Sequence, residues 1–332
     1  MSTYTESWLS GPHSTSFYTR LYAPASSPSS PKGVLVFIHG FIEHVGRYEH
    51  AHNAWAARGF AVFAFDQRGF GRTALDAKRS KGSSYGKTSG PDRMGDVQWA
   101  VRHAKETFSD APVFLMGHSM GGGIVLGFPT HSGSPLDKET VALLSGVIAT
   151  SPLLRLSHPP LDFVRWIGGK AGNIFPNMPI PANVEPQFLS HDQACIESNI
   201  HDPLIHRSAT LRAIDDMLSR GDILVAENFK NWPKGLPVLI VHGDEDQVCS
   251  IDASQKFYEK LPASDKHMSV YSGGYHELHN EPDGVKEKLF DECISWAEAR
   301  LPSVAHARPS SSTDRVAPDA AQVDESLFSS RL

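Results

Sequence analysis

The stretch Val113–Gly123, which reads VFLMGHSMGGG, decides the fold. Its first four residues form an apolar run typical of a buried strand, and its last residues begin a helical run. Gly117 and Gly121 flank Ser119, and small residues at these positions let a strand turn sharply into a helix. The stretch therefore predicts a strand–turn–helix unit that exposes the Ser119 hydroxyl at the end of the strand. A glycine-rich turn that serves only close packing is the alternative.

Apolar strands alternate with helix-length segments on both sides of this stretch. The predicted strands are residues 33–38, 60–65, 113–117, 146–150, 238–243 and 268–272. The predicted helices are Tyr48–Arg58, Asp92–Phe108, Met120–Phe128, Ala253–Lys260 and Pro282–Arg300. Near the N terminus, Ser7–Leu9 and Ser16–Tyr22 predict an antiparallel edge hairpin. Because continuous apolar strands separated by helices indicate a parallel sheet covered on both faces, we expect an α/β fold with a mostly parallel central sheet.

The composition divides the chain into four parts. The alternation of strands and helices covers residues 1–151 and 231–301, which together predict one catalytic sheet domain. It breaks over residues 152–230, a proline-rich insertion that we interpret as a helical cap. Residues 302–332 are rich in Ser, Pro, Ala and Asp and predict a flexible, solvated tail.

The cap carries an unusual number of bulky apolar side chains for a connecting segment. They are Leu161, Phe163, Val164, Trp166, Ile167, Ile174, Phe175, Met178 and Ile180. Two interpretations stay open. In the first, the inner face of the cap lines an acyl tunnel and its outer face contacts a membrane or a lipid droplet. In the second, the cap only covers the edge of the sheet.

Charge and cysteine content exclude several classes of protein. The 31 Lys and Arg against 37 Asp and Glu give a net charge of −6, which argues against a nucleic-acid binder. The three cysteines lie far apart with no CxxC pair, and no HExxH motif occurs, so neither a disulfide framework, a metal nor a cofactor is predicted. The polar N-terminal segment lacks the features of a secretory signal, and the apolar runs are too short to span a bilayer. We therefore expect an intracellular protein.

A serine hydroxyl becomes a good nucleophile only when a base removes its proton. His276 follows the last predicted strand, and two candidate acids, Asp244 and Asp246, follow the strand before it. Because all of these positions come directly after strands, Ser119, an acid and His276 are expected to meet at one edge of the sheet. The order serine, acid, histidine along the chain is that of the α/β-hydrolase class.

The developing negative charge of such a reaction needs backbone donors. The Met120 amide, at the helix start, is one candidate. The second is the Phe41 amide after the first central strand, where Gly40 allows a close approach of the backbone.

Several longer motifs carry a family resemblance over roughly residues 5–300. They are His39–His44 with Gly46–Tyr48, Asp66–Gly71, Arg79–Gly82, Gly117–Gly123, His201–Pro203, His242–Asp246, and Tyr275-His276 with His279. In these motifs the chain resembles the monoacylglycerol lipases of the serine α/β-hydrolase superfamily, and most of all their yeast-like branch. The resemblance implies that Asp246 rather than Asp244 is the acid, because the family places its acid three residues after the glycine of HGxxD.

The resemblance also implies a binding site for the glycerol head group. In the family pattern Glu43, Arg47 and His279 line that pocket, although Glu43 and Arg47 are also spaced as a structural ion pair. Cys249 matches a cysteine that the family often keeps beside the site; it is either a modifiable thiol or a buried inert one. Several relatives have a small residue in place of Phe41, and the cap resembles the family only in patches, which leaves the preferred acyl length open.

The sequence therefore predicts a carboxylic ester hydrolase that cleaves a monoacylglycerol through an acyl-enzyme on Ser119. Lysophospholipase, thioesterase or general carboxylesterase activity with the same residues is the first alternative, and a non-catalytic binding protein of the same fold is the second. The final residues Ser330-Arg331-Leu332 are a variant of the SKL peroxisomal signal, so we expect partial peroxisomal import, with the cytosol or the lipid-droplet surface as the alternative.

Overall fold

The apolar runs form an eight-stranded sheet in the computed structural model, which describes residues 4–131, 135–159 and 172–302. The strands are β1 (Thr5–Ser10), β2 (Ser16–Tyr22), β3 (Val34–Ile38), β4 (Ala61–Phe65), β5 (Val113–His118), β6 (Leu144–Thr150), β9 (Val238–Gly243) and β10 (Lys266–Tyr271). A separate two-stranded ribbon within the predicted cap pairs β7 (Pro179–Pro181) with β8 (Ser208–Thr210).

The sheet order is β1-β2-β4-β3-β5-β6-β9-β10. The six strands from β4 to β10 in this order run parallel to one another, and only the β1–β2 hairpin and its pairing with β4 are antiparallel. The predicted fold class is thereby confirmed. Every residue of β3, β4, β5 and β9 is buried, as expected for strands covered on both faces.

Helices cover the two faces of the sheet. They are α1 (Glu49–Ala57), α2 (Gly71–Leu75), α3 (Gly90–Thr107), α4 (Met120–Gly127), α5 (Pro135–Val141), α6 (Gln193–His201), α7 (Leu211–Ala226), α8 (Ile251–Lys260) and α9 (Val285–Glu298). Alternate residues of β3 belong to opposite layers: Val36 lies in the same buried apolar cluster as Val101 of α3, whereas Leu35 lies in the cluster that contains Trp55 of α1. The two layers fix the carboxyl ends of the parallel strands along one edge, where the candidate residues lie.

The cap residues divide between described and undescribed positions. Ile174, Phe175 and Met178 are exposed to solvent at 70%, 59% and 45% of their surface. Ile180, in β7, is partly buried. The predicted cap residues at positions 161–167, and the tail from residue 303, lie outside the described residues. Within the part of the chain that the structure describes, no helix has the length and apolar character needed to cross a bilayer.

Candidate active site

Ser119 occupies a strained turn between β5 and α4. Its φ of 55° and ψ of −118° lie outside the regions that L-residues usually adopt. A Cβ atom on Gly117 would lie 2.3 Å from the carbonyl oxygen of Gly121, and one on Gly121 would lie 2.1 Å from the carbonyl oxygen of Ile38. Glycine is therefore required at both positions, because the backbone of α4 packs directly against the ends of β5 and β3.

Ser119, His276 and Asp246 form one chain of hydrogen bonds. The Ser119 Oγ lies 2.9 Å from Nε2 of His276, and Nδ1 of His276 lies 2.8 Å from Oδ2 of Asp246. All three side chains are buried. The competing acid, Asp244, is exposed and instead accepts a hydrogen bond from the Gly273 amide at 2.7 Å. The geometry therefore brings together Asp246, and not Asp244, with the serine and histidine.

The negative charge of Asp246 and the positive charge of protonated His276 stabilise each other. Burial alone would raise the pKa of Asp246, but the charge of His276 and hydrogen bonds from His242 and His276 outweigh it and hold that pKa well below its usual range. Burial likewise opposes protonation of His276, but the Asp246 carboxylate outweighs this effect and raises the pKa of His276 above its usual value. The imidazole is therefore a better proton acceptor than a free histidine.

The loop after β3 lies directly beside the serine. A Cβ atom on Gly40 would lie 3.4 Å from Cβ of Ser119, so the backbone that leads into Phe41 passes against the serine side chain. Met120 is the first residue of α4, where backbone amides have no intrahelical partner. The structure thus places both predicted oxyanion donors, Phe41 and Met120, on segments that adjoin Ser119.

Glu43 and Arg47 belong to a buried ionic cluster with Glu277. Arg47 donates from Nη2 to both carboxylate oxygens of Glu277, at 2.7 and 2.8 Å, and its Nε lies 3.4 Å from Oε1 of Glu43. Glu43 accepts hydrogen bonds from the Gly40 amide at 3.0 Å and from the Tyr48 hydroxyl. Burial and the charge of Glu277 raise the pKa of Glu43 to about 7. These contacts show that Glu43 holds the loop that carries Phe41.

His279 is buried among other aromatic rings. Its ring stacks on Tyr48 at 4.7 Å and meets His118 edge-on at the same distance. Its Nε2 is buried and has no hydrogen-bond partner among the residues that the structure covers. Burial lowers the pKa of His279 to about 3, so the ring is neutral. His279 lines a small internal cavity of about 20 Å³, enough for one water molecule.

The Cys249 thiol lies beside the acid and is fully buried. Burial and the nearby Asp246 charge raise its pKa well above the usual value, and both features oppose reactivity. Cys249, Asp246 and His276 each offer a potential metal ligand within 4.8 Å of the others. However, the latter two already bond to each other in the chain to Ser119, so a metal bound there would break that chain.

The sequence also matches a known family over most of its length. Residues 29–283 fit the family model described as serine aminopeptidase, S33. The chain belongs to this family. The predicted α/β-hydrolase membership and the predicted class of enzyme, an ester hydrolase, are confirmed.

The chain is similar to two curated proteins over most of its length and to one solved structure in its fold. A Schizosaccharomyces pombe protein, named provisionally as a monoglyceride lipase, is 34% identical over 84% of this chain and 69% of its own. The monoacylglycerol lipase of Mycolicibacterium smegmatis is 27% identical over 82% of this chain and 90% of its own. The solved structure of a soluble variant of the Saccharomyces cerevisiae monoglyceride lipase, in complex with a substrate analog, has a TM-score of 0.80 and 25% identity over 91% of this chain and 97% of its own.

Three side chains of this S33 enzyme have contacts at the site that sequence reasoning did not assign. His242 donates toward Asp246, Glu277 binds Arg47, and the Tyr85 hydroxyl donates to the carbonyl of Ile42 in the Phe41 loop at 3.0 Å. His242 lies four residues before Asp246, and this short spacing could have predicted their contact from the sequence. The other two contacts join residues far apart in the sequence, and no local sequence pattern predicts them.

Proposed function

We propose that this protein is a monoacylglycerol lipase, which cleaves a monoacylglycerol into glycerol and a free fatty acid. The observation that carries the proposal is the chain of hydrogen bonds from Ser119 through His276 to Asp246, at 2.9 and 2.8 Å, in a protein of this family. The names of the relatives supply the substrate class.

In the first half of the reaction, His276 takes the proton of the Ser119 hydroxyl through Nε2 while Oγ attacks the ester carbonyl carbon. Asp246 keeps the Nδ1 proton on His276 and stabilises the imidazolium that forms. The imidazolium then gives its proton to the glycerol oxygen, which leaves, and the acyl group stays on Ser119.

In the second half, His276 takes a proton from water, and the hydroxide attacks the acyl carbon. The proton returns to Ser119 Oγ as the fatty acid leaves. In both halves the amides of Phe41 and Met120 donate to the oxyanion, and each such donor lowers the barrier by on the order of 3 kcal/mol. Glu43 supports this step because it fixes the Gly40 amide, one residue before Phe41.

The glycerol head group is assigned to Glu43, Arg47 and His279. Hydroxyl-bearing leaving groups require paired donors and acceptors, and these three side chains offer both near the serine loop. The assignment is tested with His279→Ala on two substrates. We expect a raised KM for a monoacylglycerol and an unchanged KM for p-nitrophenyl butyrate, which has no glycerol; equal effects on both would contradict it.

The catalytic role of Ser119 is tested with an alkyl fluorophosphonate probe at neutral pH. We expect the wild type to be labelled and Ser119→Ala to remain unlabelled. An unlabelled wild type would favour a binding protein of this fold, and a labelled Ser119→Ala would place the nucleophile elsewhere.

The substrate class is tested by comparing kcat/KM for substrates with one acyl chain: a monoacylglycerol, a lysophospholipid, an acyl thioester and a simple ethyl ester. We expect the monoacylglycerol to be the best substrate. If any of the other three is hydrolysed faster, the enzyme is a lysophospholipase, a thioesterase or a general carboxylesterase and the proposal is wrong.

We further propose that the cap contacts a lipid surface. Ile174, Phe175 and Met178 support this proposal, because three large apolar side chains within five residues are exposed. The test is co-sedimentation with phosphatidylcholine vesicles. Phe175→Ser should reduce binding, whereas Val270→Ser, which removes an exposed apolar side chain from the edge strand β10, should not. Equal binding by both variants would contradict the proposal.

The C-terminal tripeptide Ser330-Arg331-Leu332 is proposed to direct part of the protein to peroxisomes. A fluorescent protein is fused to the N terminus so that the tripeptide stays free. We expect peroxisomal signal that disappears when Leu332 is removed. A fusion found only in the cytosol or on lipid droplets would refute the proposal.

A further inference from the structure

A second cavity lies between α3, α4 and α7, lined by residues distinct from the Ser119 chain. It has a volume of about 280 Å³. Met94 of α3 and Leu224 of α7 are buried in its wall, and Ile223 of α7 is 48% exposed. Polar groups also line it, including Thr130 and Arg220. The cavity is thus an apolar pocket with a cation in its wall.

The Arg220 guanidinium is only partly satisfied in this wall, where the charge of Asp216 favours its protonated form. Its Nε is buried and lacks a hydrogen-bond partner among residues 4–131, 135–159 and 172–302. The side chain packs against the start of α3, since a Cβ atom on Gly90 would lie 2.7 Å from Nη2 of Arg220. The nearest acid in the cavity wall, Asp216, already accepts a hydrogen bond from the Gly90 amide at 2.6 Å and lies 3.8 Å from Arg212.

The guanidinium of Arg93 adds a second positive charge behind the wall. Arg93, on α3, is 3% exposed and donates from Nη2 to the Ala213 carbonyl at 3.0 Å. Its Nε and Nη1 have no partner in the described chain. Burial, with the charge of Arg220 next, lowers the pKa of Arg93 to about 9, and burial also lowers the pKa of Arg220. The remaining acids near Arg93 have other partners: Asp96 binds Arg68, and Asp92 binds Ser89.

Buried donors without acceptors cost stability, and a buried cation without an anion costs more. An anion in the cavity would supply both the acceptor and the counter-charge. Because most of the wall is apolar, an anion that also carries an apolar tail fits better than a small hydrated one.

We propose that this cavity is a binding site for an organic carboxylate with an apolar tail, held by Arg220 with Arg93 behind it. The carboxylate accepts from the Arg220 guanidinium, and the tail packs against Met94, Ile223 and Leu224. Free fatty acids, which the proposed reaction releases, belong to this class of ligand.

The test uses the whole protein treated with an excess of alkyl fluorophosphonate, so that Ser119 is blocked. Octanoate is the probe, with octanol and inorganic phosphate as matched neutral and small-anion probes. Binding is measured by calorimetry and by the shift in Tm. We expect octanoate to bind and raise the Tm, and octanol and phosphate to do so at least tenfold more weakly. If phosphate or octanol binds as well as octanoate, the proposal is overturned.

Two variants locate the site. Arg220→Met should weaken octanoate binding at least tenfold and leave the ligand-free Tm unchanged or higher, because it removes a cation whose buried Nε has no hydrogen-bond partner in the described chain. Ile223→Glu serves as the second variant in case Arg220→Met does not fold. It changes an exposed side chain at the cavity. Because the new carboxylate would compete with octanoate for Arg220, it should weaken octanoate binding to a similar extent. Arg102→Gln is the charge-matched control, because it removes a half-exposed arginine from α3. This variant should bind octanoate like the wild type.

Wild-type affinity for octanoate in both Arg220→Met and Ile223→Glu would overturn the proposal. Its failure is distinguishable from failure of the proposed function, because binding is read on the blocked enzyme and not as hydrolysis. If the fluorophosphonate does not react with Ser119, the proposed function has failed. The dependence of octanoate binding on Arg220 still shows whether the second site exists.

Discussion

The Nε2 atom of His242 lies 3.1 Å from Oδ2 of Asp246, the same carboxylate oxygen that contacts His276. Nε2 of His242 also lies 3.0 Å from the carbonyl oxygen of Cys249, and its Nδ1 lies 2.9 Å from the Ser254 hydroxyl. Two acceptors at Nε2 require a proton there, so His242 donates to Asp246. The other oxygen of Asp246 accepts from the amides of Val248 and Cys249 at 2.8 and 2.9 Å.

His242 is therefore a positioning residue for Asp246. His242→Leu removes one hydrogen bond to a buried carboxylate, an interaction worth about 1.5–3 kcal/mol, so kcat should fall about ten- to a hundredfold while KM changes little. His242→Gln retains an N–H donor and should stay within about threefold of the wild type. Steady-state kinetics on a monoacylglycerol decide; an unchanged kcat in His242→Leu, or an equal loss in both variants, would contradict this role.

Asp246 and Asp244 provide a matched pair of substitutions two residues apart. Asp246→Asn leaves His276 without the charge that stabilises its imidazolium, and kcat should fall by roughly 10⁴-fold. Asp244→Asn changes an exposed side chain that bonds only the Gly273 amide in the described structure, and kcat should stay near the wild-type value. A larger loss in Asp244→Asn than in Asp246→Asn would reverse the assignment of the acid.

The raised pKa of His276 also predicts the pH dependence of the reaction. The base must be neutral to accept the Ser119 proton, so activity falls as the pH drops below the pKa of His276, which lies above the usual value of a histidine. The acid limb of kcat/KM should therefore lie above about pH 6.5. A profile measured from pH 5 to pH 9 tests this, and a limb well below that value would contradict it.

The central strands were predictable because parallel strands buried on both faces read as continuous apolar runs. The edge strand β10 was placed two residues late, since Lys266 and His267 are polar and an edge strand needs no continuous apolar run. Helices α2 and α5 have only five and seven residues, too few for a helical period to show in the sequence.

Some contacts of the candidate site could be predicted from local sequence, and others depend on the packing of the fold. Ser119, Asp246 and His276 each follow a strand end, so local pattern and chain order bring them together. The contact of Arg47 with Glu277 joins residues 230 positions apart, and only the packing of the fold makes it. Sequence spacing therefore paired Arg47 with Glu43 alone and missed the acid that holds it more closely.

The turn at Ser119 gives a prediction on stability. Gly121→Ala would place a Cβ atom 2.1 Å from the carbonyl oxygen of Ile38, so backbone must move, and we expect the free energy of unfolding to fall by roughly 3 kcal/mol or more. Gly95→Ala, within α3, meets nothing within 4 Å and should stabilise by about 0.5–1 kcal/mol. Urea unfolding of both variants decides. A Gly121→Ala protein as stable as the wild type would mean that the elbow is not tightly packed.

Glu43 predicts a pH dependence of stability that is separate from the chemistry. Its pKa is raised to about 7 in the folded protein, from an ordinary value near 4.5. A carboxyl group with a raised pKa stabilises the fold below the unfolded value, and that contribution is lost as the pH rises through 7. Between pH 5 and pH 8 the wild type should therefore lose stability that Glu43→Gln does not lose, on the order of 1 kcal/mol or more, because glutamine does not titrate. Glu49→Gln, which removes a half-exposed carboxylate, is the control and should follow the wild type. Urea unfolding at the two pH values measures the difference, and parallel losses in the wild type and Glu43→Gln would show that Glu43 is ionised throughout this range.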